Sequence, residues 1–545
     1  MSAEGTAAGG GVPDRGRSEK SQSSRDSATV SVFPVPDSGT ILVAAGAIPR
    51  LIAQAESALL TAQSAVYQRG GQLVRIARLD ADTTMSGIRR PAGGLIITPV
   101  TPDWLLYELS RVARWAVPDD EDERIIDPPM TVVRSLLALS GLWRLPVLRG
   151  IATAPTLRAD GSLLDCEGYD ARSGLYADFG GIEYPSINST PSLEEAREAL
   201  LSLDELLSEC AFSGGPRSPS ASAMRAAIIT AIIRRALDLA PILAVTAKRA
   251  SSGKTTLAHL ISLILTGHEA AVVPLGADNA EIARQLLSLL LTGDQVVCWD
   301  NAVKPVDSPA LCAVTTSSLY QDRMVRTSQT SRVSTALTWV VTGNHLRLVG
   351  DLTTRAIQCA LEAPDERPQE RVYRRRIETY IAEHRGRLVQ AALTIPLAYL
   401  AAGSPTLAVR PSRFHEWDHL VRYPLVWLGC ADPIETQIAL EEADTERQGL
   451  RVLLAAWVAI CGEHPVTVAD LRRAAGGKGG EALTDAMPGV ALDRPGQINA
   501  HRLGNYLVER VGQVVDGMQI KDAGEDKHAK TRRYRVAVGP PGASG

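Results

Sequence analysis

The chain of 545 residues is long enough for three or four domains at about 150 residues each. Apolar residues make up 45% and charged residues 22%, a globular balance that excludes a wholly disordered chain. With 57 basic against 61 acidic residues the net charge is −4, so any nucleic-acid role has to come from local patches. No run reaches the ~18 uninterrupted apolar residues of a membrane-spanning helix. The best stretch, 226–245, is broken by Arg234, Arg235 and Asp238, and no membrane association is expected. No apolar leader with a cleavage site is read at the N-terminus. The seven cysteines are scattered and nowhere form C-x-x-C, which argues against a disulfide framework or a zinc site and fits a reducing cytoplasm. Only 8 of the 57 cations are lysine. A GC-rich coding sequence explains the arginines as well as selection for phosphate contacts does, so each lysine carries more information.

In chain order, residues 1–38 are rich in Ser, Gly and Ala with few aliphatics, the composition of a disordered tail. Residues 39–215 read as an α/β region of unassigned role. A helix is expected over 51–63, then two strands around Gly70-Gly71, a hairpin signal. A β-rich stretch over 145–179 is punctuated by Asp160-Gly161 and Ser173-Gly174. An acidic amphipathic helix over 193–210 starts after Pro191-Ser192, and 213–220 reads as a linker. Beyond it strand and helix alternate, which predicts a parallel sheet for 221–402. Helices are expected over 222–239, 255–265 and 280–291, and buried strands over 241–247, 295–299, 337–342 and 356–361. A helical connector covers 403–447, with a Trp-containing helix over 414–423 stopped by Pro424.

The strongest local signal is Ser251-Ser252-Gly253-Lys254-Thr255-Thr256, between an apolar strand and a helix. Phosphate binding needs backbone N–H groups at a helix N-terminus, a Lys for the β/γ phosphates and a hydroxyl for Mg²⁺. The motif supplies the closing half of G-x-x-x-x-G-K-[ST], with Lys248 where the first Gly belongs. The apolar strand 296–299 ends in Asp300, where a P-loop NTPase places its Mg²⁺ carboxylate. Asn301 follows, where many such enzymes carry a catalytic Glu. A third apolar strand ends in Thr342-Gly343-Asn344, an amide suited to the attacking water or γ-phosphate. Arg355, after Thr353-Thr354, is a candidate arginine finger for a neighbouring subunit's nucleotide.

In this order the motifs resemble the superfamily 3 helicases, specifically the helicase half of phage and prophage primase–helicase proteins. The resemblance rests on Ser252 to Thr255, Trp299-Asp300-Asn301, Ser318-Leu319-Tyr320-Gln321-Asp322-Arg323, Thr342-Gly343-Asn344 and Gly350 to Arg355. Segments such as Phe414-His415-Glu416-Trp417 and Val426-Trp427-Leu428-Gly429 extend it over residues 60–540. It implies an AAA+-like P-loop core forming a homo-hexameric ring, with ATP between subunits. Lys254 would contact the phosphates, Thr255 and Asp300 the Mg²⁺, Asn344 the γ-phosphate side and Arg355 the neighbour's nucleotide. A pore hairpin would lie at 327–336, with Arg326 and Arg332 gripping single-stranded DNA. Ser251 departs from the family's glycine, and no primase catalytic domain is seen, so a separate primase is a candidate partner.

Residues 448–540 read as three helices (450–461, 466–475 and 499–511) and two strands (518–521 and 533–538), the pattern of a winged helix. Lys521, Lys527, Lys530, Arg532 and Arg533 cluster there as a DNA-binding footprint. The reading is an ATP-dependent helicase or translocase acting on single-stranded or forked DNA in replication of a phage, prophage or other mobile element. Two alternatives stay open: a nucleotide-switched DNA-binding or loader ATPase with little unwinding, and a non-catalytic replication adaptor.

Overall fold

The structure, a computed structural model, describes residues 39–85, 88–119, 122–248, 252–276, 278–323, 330–362, 374–494, 497–525 and 531–538. They fall into two compact units, residues 39–64 with Leu106–Val132, and Ala65–Leu105 with 133–538; the tail expected over 1–38 lies outside the described residues. In the first, the helix Ile48–Thr61 carries a proline in its first turn, where the missing N–H costs nothing. The strand Ile41–Leu42 pairs parallel with Trp115–Pro118, which pairs antiparallel with Glu123–Ile125. Trp115 is buried and donates its indole N–H to the Leu109 carbonyl at 3.1 Å.

The second unit opens on an antiparallel hairpin, β1 (Val66–Arg69) and β2 (Gln72–Arg78), extended by β3 (Leu95–Pro99). Gly70 and Gly71 take φ of +57° and +83°, the left-handed pair a two-residue hairpin turn demands. Short strands follow at Gly150–Ala152, Gly168–Asp170 and Leu175–Ala177. Asp170 accepts hydrogen bonds from Arg158 Nε at 3.0 Å and from the Ser173 amide at 2.9 Å. The Arg158 and Ser173 contacts outweigh desolvation and hold this carboxyl well below the usual carboxylate range. A carboxyl whose pKa is lower folded than unfolded stabilises fully above its unfolded value of about 3.9, and that contribution is lost as pH falls below it. The melting temperature should therefore fall more steeply below about pH 4 in the parent than in Asp170→Asn; parallel curves would refute the assignment.

Helix α1 (Leu193–Leu207) starts with a capping box between Ser192 and Glu195. The segment expected as a linker at 213–220 returns onto the sheet edge, with Ser218 and Ser220 buried and Gly214, Pro216 and Arg217 exposed. Phe212 bridges Leu361, the Ser213 amide donates to the Ala360 carbonyl at 2.9 Å, and Ser218 caps helix α2 (Pro219–Ile233). Polar turn chemistry reads alike in a linker and in a tight return onto a sheet edge. Helix α2 is buried on all sides, which accounts for the long apolar stretch. It is a central helix of the core, and no described helix is long and apolar enough to cross a membrane.

Around it runs a five-stranded parallel sheet of β4 (Ile242–Ala247), β5 (Ala271–Pro274), β6 (Val296–Asp300), β9 (Thr338–Asn344) and β10 (Ala356–Leu361). The spatial order is β5-β6-β9-β4-β10. Alternate residues face opposite cores. Leu243, Val245, Cys298, Val340 and Cys359 pack toward α2, α3 (Lys254–Thr266) and α6 (Ile377–Ala401). Ala244, Val297, Trp299, Trp339 and Val341 pack toward α4 (Asn279–Thr292) and α5 (Pro309–Val314). Helices on both faces explain why these strands read as continuous apolar runs. Between β6 and β9 in the chain lies an antiparallel hairpin of its own, β7 (Leu319–Arg323) and β8 (Thr330–Ser334), with Val333 buried in the core beside α4. The hairpin thus begins earlier than the expected 327–336, because the Leu319–Arg323 segment is itself its first strand.

The helix around Trp417 does not stop at Pro424. It passes from His415–Trp417 through a π-turn, Asp418–Arg422, into Tyr423–Trp427. Proline tolerates this because it falls in the first turn after the ladder changes register. The last hundred residues hold α7 (Thr445–Cys461), α8 (Val468–Ala475) and α9 (Ala500–Glu509). They pack on a four-stranded antiparallel sheet of β11 (Val466–Thr467), β12 (Val514–Val515), β13 (Met518–Glu525) and β14 (Arg532–Val538), ordered β11-β14-β13-β12.

Candidate nucleotide site

The sheet order places β9 between β6 and β4, so three loops leave its C-terminal edge side by side. Gly253 begins α3 with φ of +82°, and an added Cβ would meet nothing within 4 Å. The glycine is needed for its left-handed backbone rather than for space. The amides of the first turn of α3 have no earlier helical carbonyl to reach, and such a helix N-terminus favours phosphate.

Side chains converge in front of it. Lys254 Nζ donates to Asn344 Oδ1 at 2.7 Å, and Thr255 Oγ1 donates to Asp300 Oδ1 at 2.8 Å. Thr342 Oγ1 donates to the same Asp300 oxygen at 2.6 Å and accepts the Asn301 amide at 3.2 Å. Burial pushes the Lys254 ammonium down from its ordinary value, while Asp300 opposes that shift. Thr255 and Asp300 are hard oxygen donors in direct contact, a set that fits Mg²⁺. Thr255 and Asp300 would hold that ion from the protein side, where it would supply positive charge beside a phosphate. Among the described residues no group of three or more His, Cys, Asp or Glu converges as a metal site.

Other expected residues lie differently. Asn301 is exposed with φ of +56°. Lys248 forms an ion pair with Glu362 at 2.9 Å, so it lies toward the end of β10. Arg355 lies at the opposite edge of the sheet, its carbonyl accepting from the first residue of β4. A strand of this length separates it from the phosphate turn by roughly 16 Å. Its guanidinium donates to Thr316 and, at 3.2 Å, to Asp351. Thr256 lines a cavity behind the turn. Arg332 is exposed on β8, Lys521 on β13 and Arg532 on β14, while Arg533 is half-buried. Ser251, Arg326, Lys527 and Lys530 lie outside the described residues.

The cavity behind the turn, about 530 Å³, is lined by Gly253, Thr256 and Leu257 together with Leu206, Leu361 and Ile377. Glu209, Arg374, Arg375, Arg376 and Glu378 also line it, so the cleft behind the turn is part apolar and part charged. Leu206, Leu361 and Ile377 come from α1, β10 and α6. In the sequence they are ordinary core leucines and an isoleucine, with nothing to connect them to Gly253.

No family model matches the sequence, and no curated protein matches it. Among solved structures the chain is similar to the apo C-terminal region of NrS-1, with 10% identity over 89% of this chain and 98% of that one and a TM-score of 0.36. It is also similar to JCV helicase, solved with a bound acetamide compound, with 14% identity over 46% and 73% of the two chains and a TM-score of 0.20. Neither likeness carries a residue's role to this chain.

Proposed function

We propose that the chain is an ATP-dependent DNA helicase or translocase of superfamily 3 type, serving replication of a phage, prophage or other mobile element. The observation that carries this reading is the meeting of Lys254, Thr255, Asp300, Thr342 and Asn344 at the edge of three adjacent parallel strands. Lys254 and the N-terminus of α3 would hold the β/γ phosphates of ATP, and Thr255 and Asp300 the Mg²⁺. The metal ion, when bound, neutralises phosphate charge. Arg355 is too far from its own turn to act there, so a role on nucleotide requires a second copy, as in a homo-hexameric ring. The exposed hairpin cation Arg332 and the cations Lys521, Arg532 and Arg533 of the winged-helix-like C-terminal part would contact DNA. A separate primase fits as partner. The test is ATP hydrolysis by the full chain with and without single-stranded DNA, alongside strand separation of a forked duplex. Stimulation by DNA and unwinding are expected; hydrolysis that ignores DNA would overturn the translocase reading.

Asn301 favours a second reading, a nucleotide-switched DNA-binding or loader ATPase. An amide cannot accept the proton of the attacking water as a carboxylate does, and this one is exposed on a left-handed backbone. ATP-dependent assembly on DNA without strand separation would support it.

Thr342 positions Asp300. Thr342→Val removes the hydroxyl that donates to Asp300 and accepts from the Asn301 amide. Outer-shell partners of a metal ligand commonly alter metal affinity 10–100-fold. The Mg²⁺ concentration for half-maximal ATPase should rise about tenfold, with the rate at saturating Mg²⁺ less affected; an unchanged Mg²⁺ titration would remove Thr342 from this role.

A further inference from the structure

Far from the nucleotide turn, a cavity of about 760 Å³ opens between the tip of the β1–β2 hairpin, the 145–175 region and the base of the β7–β8 hairpin. Six arginines line it: Arg69, Arg149, Arg158, Arg172, Arg235 and Arg332. Two are neutralised locally, Arg158 by Asp170 and Arg172 by Asp160. The other four face one lining carboxylate besides Asp160, that of Asp238, which is exposed to solvent.

Arg235 is the centre of the argument. Both its terminal nitrogens are shut off from solvent, and neither has a hydrogen-bond partner among the described residues. By contrast Arg234, beside it, donates to the carbonyls of Leu237, Thr335 and Leu337. Leaving a buried guanidinium without a partner is among the costliest arrangements a fold can retain. The surrounding backbone accommodates it, because a Cβ on Gly150 would lie 2.7 Å from Arg235 Cζ. Arg69 donates to the carbonyls of Leu148, Arg149 and Leu290, but its Nε has no partner among the described residues. Carbonyls satisfy donors without cancelling charge. Burial pushes Arg235 down to about 9, with Arg69 and Arg234 adding to the shift. The same burial pushes Arg69 down to about 10.

Buried cations with no carboxylate to cancel them attract an anion to the cavity above them, where the exposed planar forks of Arg149 and Arg332 can meet a tetrahedral oxyanion. We infer that this cavity is a phosphate-binding site, with Arg235 and Arg69 at its floor and Arg149 and Arg332 at its rim, and that the backbone of single-stranded DNA supplies the phosphate. The anion site stands on its own geometry; the DNA source rests on the function proposed above. Continuity favours DNA, since Arg332 is exposed on the β7–β8 hairpin and Ser331, next to it, donates to the carbonyl of Gly70 at 3.4 Å. A strand gripped by the β7–β8 hairpin would thus pass directly over the cavity.

The experiment uses the full chain carrying Lys254→Ala, so that the nucleotide turn does not compete for the probes, and compares Arg235→Met and Arg149→Ala within it. Inorganic pyrophosphate, followed by thermal shift, and a labelled oligo-dT, followed by anisotropy across a salt series, are the two probes. Without ligand, Arg235→Met should melt at or above its parent, since it removes an unpartnered buried charge. Both variants should lose the pyrophosphate shift and bind oligo-dT at least tenfold more weakly, with a shallower salt dependence. Retention of parental pyrophosphate and oligonucleotide binding would overturn the site. Loss of the pyrophosphate shift with unchanged oligo-dT binding would overturn DNA as the source and assign the site to a free phosphate compound. Absence of ATPase activity would count against the proposed enzyme while leaving this result unaffected.

Discussion

Lys254→Ala should lower ATP hydrolysis by a factor on the order of 10²–10³, the range found when a preorganised charge-stabilising donor is removed from a reacting centre. The ammonium is half-buried, sits 2.7 Å from Asn344 and feels the field of Asp300. It is therefore held in place before any ligand arrives, and alanine removes both its charge and its position. The rate loss should appear mainly in kcat, with fold stability little changed, because the side chain contributes little to either core. Thermal melting of the variant should match the parent without nucleotide and lack the ATP-induced rise. Equal rates in the two proteins would sink the catalytic reading and leave the adaptor alternative.

Trp339→Ala should cost about 3–5 kcal/mol by cavity formation, with about 0.5–1.5 kcal/mol more from loss of ring stacking. Trp299 and Trp339 lie on neighbouring strands of the parallel sheet, at most 1% exposed, with ring centroids 5.1 Å apart and planes 10° from parallel. Trp339 stands three residues before Thr342 on the strand that carries the site. Neither indole N–H has a hydrogen-bond partner among the described residues. That orphaned donor separates shape from polarity: Trp339→Phe keeps the stack and discards the cost, so it should remain within about 1 kcal/mol of the parent. Equilibrium unfolding in urea measures both. An alanine variant as stable as the phenylalanine one would show that the stack does not hold the sheet together.

The two effects have different origins in the chain. Gly253, Lys254 and Thr255 are legible locally because a left-handed glycine, a cation and a hydroxyl follow one another within one helical turn. Asp300 and Asn344 are legible as polar ends of apolar strands only beside the Gly-Lys-Thr turn, since a strand that reaches solvent commonly ends on such a residue. Ser192 announces α1, and Gly70-Gly71 announces the first hairpin, through short-range backbone requirements. Pro424 misleads for the same reason: its local rule assumes an unbroken α ladder, and the π-turn at Asp418–Arg422 changes the register that the rule depends on.

What the sequence determined by itself, then, is the part governed by neighbours within a few residues: the glycine turn before α3, the apolar strands, the hairpin glycines and the helix caps. The charge of −4 concealed unlike regions, because net charge averages over distances much longer than a Debye length. Tertiary structure alone decided that β9 enters between β6 and β4, which brings Thr342 onto Asp300 across 42 residues. It also decided that Leu206, Leu361 and Ile377 share one cleft, and that Arg69, Arg149, Arg235 and Arg332 surround one cavity. Spacing along a chain encodes helix faces and strand edges; which edges meet is set by burying both faces of the sheet at once, a condition no local segment can express.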